Sequence, residues 1–227
     1  MLEFIHIQRF KTLLDASFPC AQLCLFSGLN GMGKSSLIQT LLLLRQSYEK
    51  NTLFSKGLLL KGDYITLGTG QDVLSADADE NTFSFSLRWK DSPLLSFKFE
   101  FVQNSDLQPI ISSVEMDVLD RINLFNKNFQ YLSAERVSSH SIFDTSDYNI
   151  EELNSIGNHG EYAAYYIAEN ASRNIPIPAL KHKQSDSLSF SENLNCWMSE
   201  ISPGVRISAD VQRKTNTASL SYSFIQG

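Results

Sequence analysis

The sequence predicts an α/β fold in which a mixed sheet surrounds one phosphate-binding helix, with an antiparallel β layer beside it. Three observations predict it. Residues Gly28 to Ser36 read G-L-N-G-M-G-K-S-S and fill the pattern G-x-x-x-x-G-K-[ST] with Gly28, Gly33, Lys34 and Ser35. An apolar run, Leu23-Cys24-Leu25-Phe26-Ser27, precedes it with the character of a short buried strand, and a leucine-rich segment suited to a helix follows. Farther on, Phe83, Phe85, Leu87 and Trp89 alternate with polar residues, and so do Leu95, Phe97, Phe99 and Phe101. That period of two is a β-hairpin with one aromatic face. Strand, Gly-rich turn and helix start together predict an anion site of the phosphate-loop NTPase type.

The chemistry of the loop follows from its backbone. Consecutive N–H groups and the positive end of the helix dipole favour a phosphate, Lys34 reaches the β- and γ-phosphates, and the Ser35 hydroxyl holds Mg²⁺. The competing reading is a fortuitous Gly-rich turn.

The remaining elements follow in order. Leu2 to Ile7 reads as a first strand, Gln8 to Leu14 as a turn, and Leu23 to Phe26 as the strand entering the loop. The helix runs from Lys34 to about Tyr48, with leucines over most of its circumference, so it is expected between layers. Gly57 to Asp72 is loop-like. The hairpin spans Thr82 to Phe101, and Val114, Met116 and Val118 suggest a third strand of the same layer. Its aromatic row is read as core, with a base-stacking platform as the alternative. Phe129 to Ser133 reads as a return to the central sheet and Ser138 to Gly160 as a long loop. Glu161 to Asn170 and Leu194 to Ile201 read as helices, separated by a flexible Ser-rich stretch, Ser185 to Ser191. Val205 to Val211 and Ser219 to Phe224 close the chain as strands.

Composition bounds the function. With 42% apolar residues and fifteen Phe, 227 residues suffice for a sizeable core. No run of about eighteen apolar residues occurs and the N-terminus lacks the pattern of a signal peptide, so a cytoplasmic protein without a membrane span is expected. A net charge of −6 without a long Lys/Arg block disfavours DNA binding by bulk charge. Cys20, Cys24 and Cys196 show no metal-like spacing and are expected as reduced thiols, with Cys24 in the buried strand. The four His show no zinc spacing.

The form G-x-N-G-x-G-K-S-S, preceded by Arg9-Phe10-Lys11-Thr12 after a first strand, resembles the ATPase heads of the ABC superfamily, in its SMC/RecF/OLD branch. K-G-D-Y-I-T-L-G, Y-L-S-A-E-R, G-N-H-G-E-Y and W-M-S-E-I-S-P-G-V-R-I are similar to a family of bacterial AAA-type predicted ATPases related to the ATPase of the Septu anti-phage system. The resemblance covers nearly the whole chain, treated as a single head domain with the β layer of 82–118 inserted. It implies ATP and Mg²⁺ as cofactors and a homodimer through the heads. A nuclease or other effector protein is implied as partner, with nucleic acid engaged indirectly and no membrane.

One departure limits the resemblance. Such heads need a signature loop, then four apolar residues capped by Asp-Glu, then a switch His, with the acids serving Mg²⁺ and the attacking water. Val114 to Asp120 and Arg206 to Asp210 do not fill that pattern. The chain therefore matches the N-terminal half of a head.

The resemblance also implies roles for single residues, each beside a plainer reading. Gly28, Asn30, Gly31, Gly33, Lys34, Ser35 and Ser36 would line the nucleotide. Asn30 either contacts a γ-phosphate or tolerates a left-handed turn. Arg9 and Lys11 either contact phosphate or base, or form a solvated basic turn. Gln71 either completes the Mg²⁺ shell beside Ser35 or is a plain loop amide. Arg136 either faces phosphate or pairs with a carboxylate. Glu135 and Glu161 are carboxylates without an assigned nucleophile, and His159 reads as a loop residue. The expected function is ATP binding and hydrolysis in a head dimer coupled to an effector, in anti-phage defence. The alternatives are a non-catalytic nucleotide-binding or assembly module, or a P-loop kinase, which would need an Arg-rich lid.

Overall fold

The computed structural model describes residues 1–112, 119–135 and 142–224. The chain divides into two compact units, Met1–Phe129 and Gln130–Gly227. Both mix helices with strands, and every strand pair among the described residues is antiparallel.

The first unit is built on a four-stranded sheet. Strand β1 (Leu2–Phe10) turns through Lys11-Thr12 into β2 (Leu13–Pro19). The 16-residue helix α1 (Lys34–Glu49) and the short strand β3 (Gly57–Leu59) follow. Next come β4 (Thr82–Trp89), β5 (Leu94–Glu100) and β6 (Leu107–Pro109). The sheet order is β2-β1-β4-β5, while β3 and β6 form a separate pair.

The expected hairpin is present as β4 and β5, with Phe101 just past the end of β5 and only half-buried. Phe83 lies opposite Phe99 and Phe85 opposite Phe97, and all four rings are buried. On the other face the hydroxyls of Ser86 and Ser96 meet at 2.9 Å. Period-two alternation thus places one complete face in the core, worth about 1.5–3 kcal/mol for each buried ring. Ile5 and Ile7 of β1 extend the same face. At Arg9 the backbone turns left-handed, φ 56°, and burial passes to Phe10.

Helix α1 covers this face with Leu37, Leu43 and Leu44, together with Leu53, Leu58 and Leu60 from the segment after it. Two polar side chains are sealed into the packing. Gln46 donates to the Leu59 carbonyl at 2.7 Å and accepts from the Ile65 N–H at 3.2 Å. Arg45 pairs with Glu49 at 2.6 Å, donates to the carbonyls of Leu124 and Asn126, and stands over the Phe129 ring. Buried polar groups persist where such partners exist.

Several expectations are corrected. Leu23 to Ser27 is not a buried strand. It pairs with no strand among the described residues, and Leu23 and Leu25 are 90% and 91% exposed. Cys24 is exposed with it. A β-strand exists only where a neighbour takes its N–H and C=O groups, and apolar character alone supplies none. Instead of a turn over 8–14, β1 runs to Phe10 and β2 begins at Leu13. The loop-like stretch 57–72 carries β3 and a 3-10 turn, Gly70–Asp72. The suggested strand Val114 to Val118 lies outside the described residues.

The second unit contains β7 (Ile142–Asp144), α2 (Ala163–Asn170), α3 (Phe190–Ile201), β8 (Val205–Gln212) and β9 (Thr217–Phe224). Its sheet order is β7-β9-β8, and both helices pack on β8. Its core is small, made of Ile150, Ala164, Tyr165 and Ala218 with partly buried neighbours such as Phe143 and Tyr166. The Tyr165 hydroxyl donates to the Asp147 carboxylate, which pushes its pKa up to about 12.

Phe129 to Ser133 is irregular rather than a strand; Ser133 donates its N–H to the Asn158 carbonyl at 2.8 Å. The expected loop 138–160 holds β7 and a π-helical turn, Tyr148–Glu152. The Ser-rich stretch is tied down: the hydroxyls of Ser185 and Ser187 and the Asp186 N–H all donate to Glu192. Helix α3 accordingly starts at Phe190, earlier than expected.

Candidate nucleotide site

The Gly-rich loop enters α1 through a left-handed residue. Gly28, Gly31 and Gly33 have φ of 151°, 83° and 86°, a region that side-chain-bearing residues avoid. At Gly33 space is limiting too. A Cβ there would lie 2.6 Å from Leu13 Cδ2 and 3.2 Å from Thr12 Oγ1, so the β1–β2 turn packs directly against the start of the helix. Gly28 and Gly31 have nothing within 4 Å of such an atom.

Lys34, the first helical residue, folds back over the loop. Its ammonium donates to the carbonyls of Gly28 and Leu29, both at 2.7 Å. The first turn of α1 carries no acidic residue, so the positive end of its dipole is left for an anion. Ser35 is exposed on that turn, whereas Ser36 is buried at 6% exposure. Asn30 sits at the exposed loop tip and does not adopt a left-handed backbone.

Lys11 arrives from the β1–β2 turn. Its Nζ donates to Gln39 Oε1 of α1 at 2.9 Å, and its N–H to the Val73 carbonyl at 2.7 Å. Burial pushes the Lys11 pKa down, opposed by the nearby Asp72 carboxylate. Gln71 lies in the 3-10 turn just before Val73, with its N–H on the Gln103 carbonyl at 3.1 Å. Lys11, the 70–73 turn and the N-terminal half of α1 are thus brought together.

Arg9 is placed differently. Its guanidinium pairs with Glu80 at 2.6 Å and Asp79 at 3.6 Å and donates to the Thr82 carbonyl. Those partners hold it at the start of β4. Glu135, His159 and Glu161 belong to the second unit and engage one another. The His159 ring bonds the Glu135 carbonyl, and the His159 N–H donates to Glu161 at 2.8 Å. Arg136 lies outside the described residues.

The sequence gives no signal for Gln39 or Asp72 at this site, and marks Thr12 only as the end of Arg9-Phe10-Lys11-Thr12. Gln39 sits five positions after Lys34 within a leucine-rich helix, and nothing in the phosphate-loop pattern reaches that far. Among the described residues no group of three or more His, Cys, Asp or Glu is placed to hold a metal. Ser35, exposed on the first turn of α1, is a hydroxyl at the mouth of the loop. Among the described residues no helix is long and apolar enough to cross a membrane. Comparison with protein-family models finds no match, and neither does comparison with curated proteins.

Proposed function

We propose that the chain binds ATP with Mg²⁺ through the loop Gly28 to Ser35, as part of an ABC-type ATPase head of the phosphate-loop NTPase fold. The observation that carries the reading is Lys34. Its ammonium is drawn over the loop carbonyls at the mouth of a helix whose first turn lacks acids. A triphosphate offers that ammonium stronger, charged acceptors than two neutral carbonyls. Ser35 would reach the metal, and Lys11, bonded to Gln39 of α1, would add a second cation for the phosphates. Two heads would sandwich the nucleotide, and opening of the dimer would signal to an effector acting on nucleic acid. The setting is the cytoplasm, in defence against phage.

A second reading, a nucleotide-binding or assembly module without turnover, has one observation in its favour. The sequence contains no run of four apolar residues capped by Asp-Glu. The two readings share the binding step, which calorimetry tests. ATP with Mg²⁺ should bind the chain, and Lys34→Ala should abolish the heat of binding. Unchanged affinity in that variant would overturn both readings.

A further inference from the structure

We infer that a pocket in the second unit, between residues 179–183 and helix α3, binds a nucleotide unit by stacking its base and pairing its phosphate. This site is separate in its residues from the Gly-rich loop and does not rest on ATP binding there. The cavity measures about 420 Å³ and is lined by Ala179, Lys181, His182, Lys183, Trp197 and Glu200. That volume is within the range of small-ligand sites.

Trp197 is the central feature. It remains 49% exposed, yet its indole is fixed at two points. The ring N–H donates to the Leu180 carbonyl at 3.0 Å, and the His182 ring meets it edge-on with centroids 4.7 Å apart. A large aromatic surface held rigid and half open is suited to stacking a base.

His182, only 1% exposed, is the pocket's buried frame. Its Nδ1 accepts from the Gln184 N–H at 3.1 Å, which leaves the proton on Nε2 to donate to Glu200 at 3.2 Å. Glu200 also faces Lys183 at 3.5 Å, and these partners hold its pKa below the usual carboxylate range. The one acid of the pocket is thereby compensated. Lys181 has no carboxylate partner among the described residues, so the rim keeps a surplus positive charge. An aromatic wall beside an uncompensated ammonium selects a flat aromatic ring carrying an anion, which is the chemistry of a nucleotide. That unit comes either as a free mononucleotide or within a single strand.

The test uses the full chain carrying Lys34→Ala, which silences the Gly-rich loop. Anisotropy of a labelled short oligothymidylate reports binding, with thymidine monophosphate as competitor. Intrinsic fluorescence should also be quenched; Trp89, at 6% exposure, is the shielded reference. Trp197→Ala should weaken binding about tenfold or more, in keeping with the loss of one stacked base, and Trp197→Phe should recover most of it. Lys181→Gln, at an exposed position that leaves the fold alone, should weaken binding about threefold and flatten its salt dependence. Competition by the monophosphate assigns the pocket to a single nucleotide; binding of the oligomer without competition assigns it to a strand. Absence of binding by either probe overturns the inference. So does affinity unchanged in Lys181→Gln together with Trp197→Ala, or, should the latter misfold, in Lys181→Gln with the wild-type salt slope.

Discussion

Gly33 answers two demands at once, a left-handed backbone of φ 86° and an approach to Leu13 that a Cβ would bring to 2.6 Å. Gly31 answers only the first. Gly33→Ala should therefore lose about 2 kcal/mol or more, from left-handed strain plus displacement of the nearly buried Leu13. Gly31→Ala should lose only about 1 kcal/mol, the strain alone. Urea unfolding of the two variants checks this; equal losses would mean that Leu13 and Thr12 give way freely. The same comparison separates what the motif announces from what it does not. The pattern marks Gly33 and Lys34, but nothing in it marks Thr12, Leu13 or Gln39, because their proximity to the loop depends on how β1 and β2 turn against α1.

Among elements, the β4–β5 hairpin is the most legible, since strict alternation leaves one face for the core. Phe97 is fully buried and packs against Phe54 and Phe125. Phe97→Ala should cost about 3–5 kcal/mol in chemical denaturation, as the cavity adds to the lost transfer energy. Helix α3 offers a pH prediction. Hydrogen bonds from Ser187, Ser185 and the Asp186 N–H lower the Glu192 pKa from 4.5 to about 2. A depressed carboxylate pKa stabilises the folded state above the unfolded value, and that contribution fades as pH falls through the folded one. Wild type should thus lose stability between about pH 4.5 and 2, while Glu192→Gln should start less stable at neutral pH and show a shallower loss. Unfolding midpoints measured across that window check it; parallel curves would refute the assignment. The Ser-rich composition before α3 suggested flexibility because serine favours turns on average, yet a single carboxylate three residues into the helix gathers those donors.

At the scale of the molecule, the separation into Met1–Phe129 and Gln130–Gly227 assigns the candidate residues to different units. The Gly-rich loop, Lys11 and Gln71 belong to the first, and Glu135, His159 and Glu161 to the second. Phosphoryl transfer depends on positioning a water and completing the metal shell, and under the proposed function the loop contributes binding rather than that geometry. The purified chain should accordingly bind ATP while releasing phosphate at no more than a background rate. Steady release that Lys34→Ala abolishes would place the missing carboxylate within these residues, with Glu135 and Glu161 the first to replace by Gln.

The sequence by itself determined the local features: the Gly-rich loop before a helix, helix α1, the aromatic hairpin and the terminal strands β8 and β9. The glycines permit a positive φ, the hairpin follows from its period of two, and α1 from an unbroken run of helix-forming residues after the loop. Tertiary structure decided the rest. Leu23 to Ser27 has strand-like composition but no strand partner among the described residues, because pairing requires a second segment that composition cannot name. Arg9 and Lys11 are two residues apart and look alike in sequence. The left-handed turns at both positions give one to Glu80 and the other to Gln39. Charge is local information, but the partner that uses it depends on which chain segments folding brings within reach.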